Sequence, residues 1–261
     1  MTTDSEYIAW PERYNLLGVQ VSAATYESAL AAVIPAAKAH RSTAQTHLAV
    51  HGLVEGSRDP ALRRLLDNFD IVAPDGHPVR IGLNKLYNTG LEDRCYGPEF
   101  TLLCCAACAK EGIPVYFYGS RLEVVEKMRD NLVAKFPGLD VAGCEPSIFR
   151  PLTEAEDAEL VQRINDSGAG VVFVGLGCPL QEWFTGEHKG RINAVMIAAG
   201  AAFDFHAGMK KQAPQWMRKH SLEWLYRLWS EPGRLWKRYL MTNVIFLWRF
   251  MLQRLGLRTY R

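Results

Sequence analysis

Short apolar runs recur along most of this chain, separated by stretches with helical periodicity, and this alternation constrains the fold more than any other feature. Leu16–Val21, THLAVHG from Thr46, Ile71–Ala73, Val115–Tyr118, VVFVGLG from Val171 and Val195–Ala199 each read as a strand. Between them, SAATYESALAAVIPAAKAH reads as a helix opened by Ser22 or Thr25. DPALRRLLDNF reads as a helix with Asp59 at its N-cap and Pro60 at its first position. Residues 98–111 and RLEVVEKMRDNLVAKF predict two more, and another starts near Gln181. Parallel neighbours need a long crossover, which a helix supplies, so strands alternating with helices predict a parallel sheet. The expected fold is α/β, a mostly parallel Rossmann-like sheet flanked by helices. At 261 residues the chain is long enough for one such domain and an appendage.

The appendage shows in the charge. Residues 210–261 carry 12 Lys/Arg against two acids, Glu223 and Glu231, a net of +10, whereas residues 1–209 carry 18 against 26, a net of −8. Five of the seven tryptophans lie in the same basic segment. The expected division is an α/β domain over 1–209 and a basic, aromatic helical appendage over 210–261, interrupted at Pro232-Gly233. Such a segment suits an anionic surface, lipid headgroups or nucleic acid. Arg227, Arg234 and Arg238 recur at spacings of seven and four, and Leu240, Val244, Leu247, Met251 and Leu255 form an apolar stripe. Either that stripe docks at a bilayer, or the segment is a helical hairpin packed on the body. The N-terminus lacks a basic stretch followed by an apolar one, and no apolar run reaches membrane-spanning length. The expected location is cytoplasmic, free or on the inner face of the membrane.

The six cysteines offer no ligand set: Cys105-x-x-Cys108 lies in the apolar run LLCCAACA without a second pair or a nearby histidine, and reads as core. His47 and His51 have metal-pair spacing but sit in a strand-like segment, so no metal site is expected.

In open parallel sheets, ligands gather beyond the carboxyl ends of the strands. Four such ends carry glycine: APDGHP with Asp75 and Gly76, YGS with Gly119, GLGCPLQE with Gly177, and AGAAFDFHAG with Gly200. Glycine lets backbone approach a ligand, and the following helix N-terminus offers N–H groups to phosphate, so a nucleotide or nucleotide-sugar is the natural ligand. GLGCPL lacks the third glycine of a dinucleotide fingerprint, no Walker A pattern occurs, and Gly119 and Gly200 also suit plain turns. Asp75 is the most suggestive carboxylate, or else an Asx-turn or cap. Arg94 suits a phosphate or a surface acid, and Asp204 a sugar hydroxyl or a loop cap. Gln181 has the donor and acceptor that hydroxyl recognition needs, while Glu182 also reads as a first-turn acid. Trp183 offers a stacking face or packs beneath the loop. No D-x-D occurs, which points to a metal-independent site.

Several blocks in order, PDGHPVR, RCYGPEF, VYFYGS, FPGLDVAG, FRPLTEAED, VGLGCPLQEW, AAGAAFDFHAG, QAPQW and LEWLYRLWSEPGRLWKRY, resemble the WecG/TagA/CpsF family of glycosyltransferases, most closely its Gram-negative exopolysaccharide branch. The resemblance runs from about Leu16 to Tyr239. It implies an inverting enzyme, without cofactor or metal, that moves a hexose from a UDP-sugar to a sugar on undecaprenyl diphosphate at the membrane surface, with no nucleic-acid partner and with self-association among relatives. The branch favours UDP-glucose; UDP-N-acetylmannosamine or its uronate is the alternative. The implied catalytic residues are Asp75 as base, Arg94 and Gln181. Gly76, His51, Gly119, Gly177, Glu182, Gly200 and Asp204 would bind substrate, and Arg227, Arg234 and Arg238 would meet the lipid diphosphate. The chain departs from the family pattern at Leu180, where lysine is usual, at Ala49, near a usual asparagine, and at Ala199. Outside the resemblance, a nicotinamide-dependent oxidoreductase and a non-enzymatic adaptor also fit an α/β body with a basic tail.

Overall fold

The computed structural model describes residues 8–260, apart from the side chains of Lys219, Arg234, Leu235 and Arg238. A hairpin, β1 (Arg13–Leu16) and β2 (Val19–Ser22), precedes α1 (Tyr26–Lys38), β3 (Thr43–Leu48), α2 (Val50–Arg58), α3 (Pro60–Asp67), β4 (Ile71–Pro74), α4 (His77–Tyr87) and α5 (Gly97–Glu111). There follow β5 (Val115–Gly119), α6 (Leu122–Lys135), β6 (Val141–Glu145), α7 (Glu154–Asp166), β7 (Val171–Gly175), α8 (Leu180–Glu187), β8 (Val195–Ala198) and α9 (Ala201–His206). Three helices end the chain: α10 (Gln215–Lys219), α11 (Glu223–Ser230) and α12 (Pro232–Arg254).

Strands β3 to β8 form one six-stranded sheet in the order β4-β3-β8-β7-β5-β6, and every pairing in it is parallel. The α/β sheet expected from the sequence is therefore present. Successive side chains of a strand point to opposite faces, and both faces are covered here. On β5 and β7, Phe117 and Phe173 pack into one core cluster with α1, α5 and α6, while Tyr118 and Val174 pack into another with α7 and α8. Burial on both faces explains why these strands read as unbroken apolar runs. Thr25 caps α1, accepting from Ser28 N, and Asp59 caps α3, accepting from Ala61 N at 2.8 Å with Pro60 in the first turn. Each such cap stabilises its helix by about 1 kcal/mol. Cys95 and the three cysteines of α5 are buried, and none of the six forms a disulfide.

The structure differs from the sequence reading at three strand segments, and it adds helices α4, α7 and α9 that the sequence reading does not name. Leu16–Val21 is not one strand: Leu17 and Gly18 take positive φ, 56° and 93°, and turn β1 back into β2. THLAVHG stops being a strand at Leu48, and α2 begins at Val50 despite glycines at 52 and 56. Helix propensity there is poor, but Leu53 and Val54 are fully buried, and packing overrides it. A Cβ on Gly56 would lie 2.9 Å from Leu66 Cδ1, so the glycine lets α2 and α3 approach. The third is β6, an edge strand whose five residues are all half-buried and whose VAGCE composition lacks a strand signature.

Helix α12 lies on the body. Phe246, Phe250 and the later Tyr260 enter the core cluster of Leu16, Leu53 and Leu83. Gln253 bridges to the hairpin, its Nε2 donating to Asn15 O at 2.9 Å and its Oε1 accepting from Leu17 N at 2.9 Å. The stripe of Leu240, Val244, Leu247, Met251 and Leu255 faces solvent, 45% to 62% exposed. Among the described residues no helix is long and apolar enough to cross a membrane.

Candidate active site

The carboxyl ends of β3, β4, β5, β7 and β8 open onto a polar cleft of about 320 Å³. Asp75, at the end of edge strand β4, and Phe149, in the loop after β6, mark opposite ends of the strand order. From β4 to β5 the cleft crosses four inter-strand steps, roughly 19 Å at the usual spacing of about 4.8 Å. Beside it, between α4 and the C-terminal helices, lies a second and more apolar cleft of about 410 Å³, lined by Ile81, Trp224, Tyr239, Phe246 and Leu247 among others. Asp75, Ala49, His51, Tyr96 and Arg227 line both. Asp75 therefore stands where a polar compartment meets an apolar one.

Asp75 does not cap a helix; Gly76 holds that place for α4. Its backbone N–H donates to Leu48 O at 3.1 Å, continuing the β3–β4 ladder, and its Oδ1 accepts from Gly97 N at 3.4 Å at the start of α5. Burial pushes its carboxyl up to about 6; Arg94 opposes the rise, Glu223 reinforces it, and the Gly97 N–H and Arg227 oppose it again. His47, in the same cleft, is a weaker base. Burial lowers it to about 4, and its two ring nitrogens are engaged, Nδ1 donating to Cys95 O at 3.1 Å and Nε2 accepting from Gln45 Nε2 at 2.9 Å.

Arg94 is where sequence expectation and geometry part. It lines only the apolar cleft, and its guanidinium is committed: it pairs with Glu223 Oε2, lies 4.2 Å from the centre of the Tyr96 ring and donates to Asp75 O at 3.4 Å. Neither a surface acid nor open space awaits it, and Asp75, Arg94 and Gln181 do not line one cleft. The cation facing both clefts is Arg227, for which no ion pair forms among the described residues.

Gln181 lines the polar cleft but is largely buried. Its Oε1 accepts from Gly177 N at 3.2 Å and its Nε2 donates to Glu182 Oε1 at 3.1 Å, which also accepts from Thr46 Oγ1 at 2.8 Å. Glu182 lies behind it, out of the cleft, and burial raises its carboxyl. A Cβ on Gly200 (φ 46°) would stand 2.6 Å from Gln181 Oε1, so that glycine is required by close approach. Gln181 thus braces the glycine turns that floor the cleft. Gly177, Gly200, His51 and Asp204 line the polar cleft and Gly76 the apolar one. Gly119 lines neither; a Cβ there would lie 2.9 Å from the Gly175 carbonyl carbon, which gives it a packing role between β5 and β7. Asp204 pairs with Lys210 Nζ at 2.9 Å. Trp183 packs against the core cluster of the hairpin and α2. Arg234 and Arg238 lie on α12, but their side chains fall outside the described residues.

Sequence reading missed Tyr96, Phe149, Lys210 and Glu223. Phe149, 70% exposed with φ 54°, overhangs the cleft end away from Asp75. Glu223 had one visible signal, an acid four residues before Arg227 in a cationic segment. Ala49, the N-cap of α2, provides no side-chain bond to the helix, and the N-terminal end of α2, with its positive helix dipole, lies at the junction of the clefts. Among the described residues no group of three or more His, Cys, Asp or Glu side chains is arranged to hold a metal.

Fold and site together define an α/β protein with two adjoining clefts, one polar and one more apolar, that share one carboxylate, Asp75, just past a carboxyl end of the parallel sheet. The profile of the Glycosyl transferase WecG/TagA/CpsF family matches residues 14–260, and this chain belongs to that family. Among curated proteins it is similar to an N-acetylglucosaminyldiphosphoundecaprenol N-acetyl-beta-D-mannosaminyltransferase of Bacillus spizizenii, 32% identical over 188 residues, covering 71% of this chain and 70% of that protein. A protein of the same name from Bacillus subtilis is 30% identical over 177 residues, covering 67% of this chain and 66% of that protein. Neither name carries the finer placement in an exopolysaccharide branch.

Proposed function

We propose that this protein is an inverting glycosyltransferase that moves N-acetylmannosamine from its UDP-linked donor to N-acetylglucosamine carried on undecaprenyl diphosphate. The names of both relatives favour that donor over UDP-glucose and favour that acceptor. The observation that carries the reading is the position of Asp75 between a polar cleft and an apolar one. The nucleotide-sugar lies along the polar cleft with its base toward Phe149 and its sugar toward Asp75. The acceptor enters from the apolar cleft, its lipid leaving along α12.

Asp75 takes the proton from the acceptor hydroxyl as that oxygen attacks the anomeric carbon, on the face opposite the departing UDP. With its carboxyl near 6, it is ionised at neutral pH and basic enough to accept the proton. Charge that builds on the leaving diphosphate faces Arg227 and the positive N-terminal end of α2. Gln181 acts by holding the Gly177 and Gly200 turns in place. Arg94 serves as scaffold for the loop that carries Asp75. The exposed stripe of α12 and tryptophans such as Trp229, 85% exposed, bring the site to the membrane where the acceptor lies.

The test offers the purified protein a short-chain polyprenyl diphosphate–N-acetylglucosamine and a panel of UDP-sugars, with EDTA present, and reads disaccharide and UDP release. The expected result is turnover with UDP-N-acetylmannosamine, insensitive to EDTA, and a loss of about 10²–10⁴-fold in Asp75→Asn. Turnover with UDP-glucose alone would restore the other donor, dependence on Mg²⁺ would remove the metal-independent mechanism, and full activity in Asp75→Asn would remove the base.

A further inference from the structure

We propose that Glu223 is a positioning residue of the active site: held by Arg94 and Tyr96, it fixes α11 on the body so that Arg227, one turn further along, stands between the two clefts. The inference deepens the transferase reading and rests on it for its kinetic arm only.

Glu223 is one of two acids in a segment of net charge +10, yet it is the most buried side chain of α11, 7% exposed. Both carboxylate oxygens are used. Oε2 pairs with Arg94 Nη2, and Oε1 accepts from Tyr96 Oη at 2.9 Å. Arg94 lies over the Tyr96 ring, and Tyr96 N donates to Tyr26 Oη at 3.1 Å, which fixes the pair to α1. Through Arg94 Nη1 the network reaches the backbone oxygen of Asp75. One carboxylate thus joins the loop after β4, the start of α5 and the C-terminal helices.

The rest of α11 offers a weak hold. Its N-cap makes no side-chain bond, and Trp224, Leu225 and Trp229 are exposed. Residues four apart on a helix share a face, so anchoring Glu223 aims Arg227 inward. A buried pair that loses one partner leaves an uncompensated charge, so the contact sets geometry strongly. Glu223 also shapes the charge around Asp75. The titratable groups around that carboxyl are Arg94, Cys95 and Tyr96 before and at α5, Tyr26 from α1, His47 from β3, His51 from α2, His77 from α4, Glu223 and Arg227 from α11, and, also in the polar cleft, Asp204 from α9 and Lys210 after it. Of the two other carboxylates, Asp204 is paired with Lys210, and Glu223 is the one whose charge acts on Asp75.

The test compares full-length Glu223→Gln, Glu223→Asp, Arg227→Ala and Glu223→Gln with Arg227→Ala. Hydrogen exchange in 223–230, read without substrate, should accelerate about tenfold or more in Glu223→Gln with the core unchanged. Transfer should fall about as far in Glu223→Gln as in Arg227→Ala, with the double variant little worse than either, since both act through one group. Glu223→Asp, which keeps the charge, should recover part of the loss. Losing the negative charge should also move the acid limb of kcat/KM to lower pH, a shift that a purely structural contact would not produce. Unchanged exchange with additive losses and an unmoved acid limb would overturn the proposal. Faster exchange in a protein that shows no transfer with any donor would keep the latch and remove the transferase reading.

Discussion

Opposing influences meet on the Asp75 carboxyl. Burial disfavours its charge, Arg94, the Gly97 N–H and Arg227 favour it, and Glu223 repels it; the balance leaves it near 6 against an ordinary 3.8. The consequence for stability follows from the sign. Below about pH 3.8 the carboxyl is protonated in both folded and unfolded chains and costs nothing. Between about 3.8 and 6 the unfolded chain ionises first and stability falls, and above about 6 the deficit is constant. Because the carboxyl is partly open to solvent, the deficit is discounted to about 1–2 kcal/mol. Asp75→Asn should therefore melt a few degrees higher than the parent at pH 8, with the gap closing near pH 4, as read by calorimetry. In the parent, kcat/KM should fall tenfold per pH unit below about 6. Asp75 was legible in the sequence because a strand end followed by glycine is where ligands collect. The role of Arg94 was not, because its partner Glu223 lies 129 residues away and nothing local joins them.

At the level of elements, legibility followed burial. Strands β5, β7 and β8 are covered on both faces and announced themselves as apolar runs, and α1 and α3 by their caps. Edge strand β6 and helix α2 did not, since neither composition nor periodicity marks a segment whose conformation is set by its neighbours. Helix α12 was legible as a pattern but not as a placement. The same helix buries Phe246 and Phe250 against the body and turns Val244 and Met251 outward. That division predicts that the outward face can be changed at little cost to folding. Val244→Glu with Met251→Glu should leave the melting temperature within about 2 °C of the parent, because exposed substitutions usually cost under about 0.5 kcal/mol each. Co-sedimentation with vesicles containing anionic lipid should fall about tenfold or more, as apolar burial is lost and charge is added. Undiminished sedimentation would show that the stripe does not meet the bilayer.

Across the whole molecule, the break in charge near residue 210 suggests a tail that could be removed, but the packing crosses that point. Phe246, Phe250 and Tyr260 share a core cluster with the first hairpin and with α2 and α4, so the chain closes on its own beginning. Asn15 Nδ2 donates to Tyr260 O at 3.0 Å, and Arg249 Nη1 donates to Ser57 Oγ at 2.6 Å. Burying three large side chains contributes about 1.5–3 kcal/mol each, against a total stability of about 5–15 kcal/mol for an ordinary domain. A chain ended at residue 209 loses all three and also uncovers Leu16, Leu53 and Leu83. Its urea midpoint should drop sharply or its cooperative transition vanish, and transfer should fail even with a water-soluble acceptor that needs no membrane. A detachable membrane anchor predicts the opposite: a normal urea midpoint, normal turnover of the soluble acceptor, and a defect confined to acceptor in vesicles. The soluble-acceptor assay separates the two, because only a C-terminus that belongs to the core and to the site is needed when no bilayer is present.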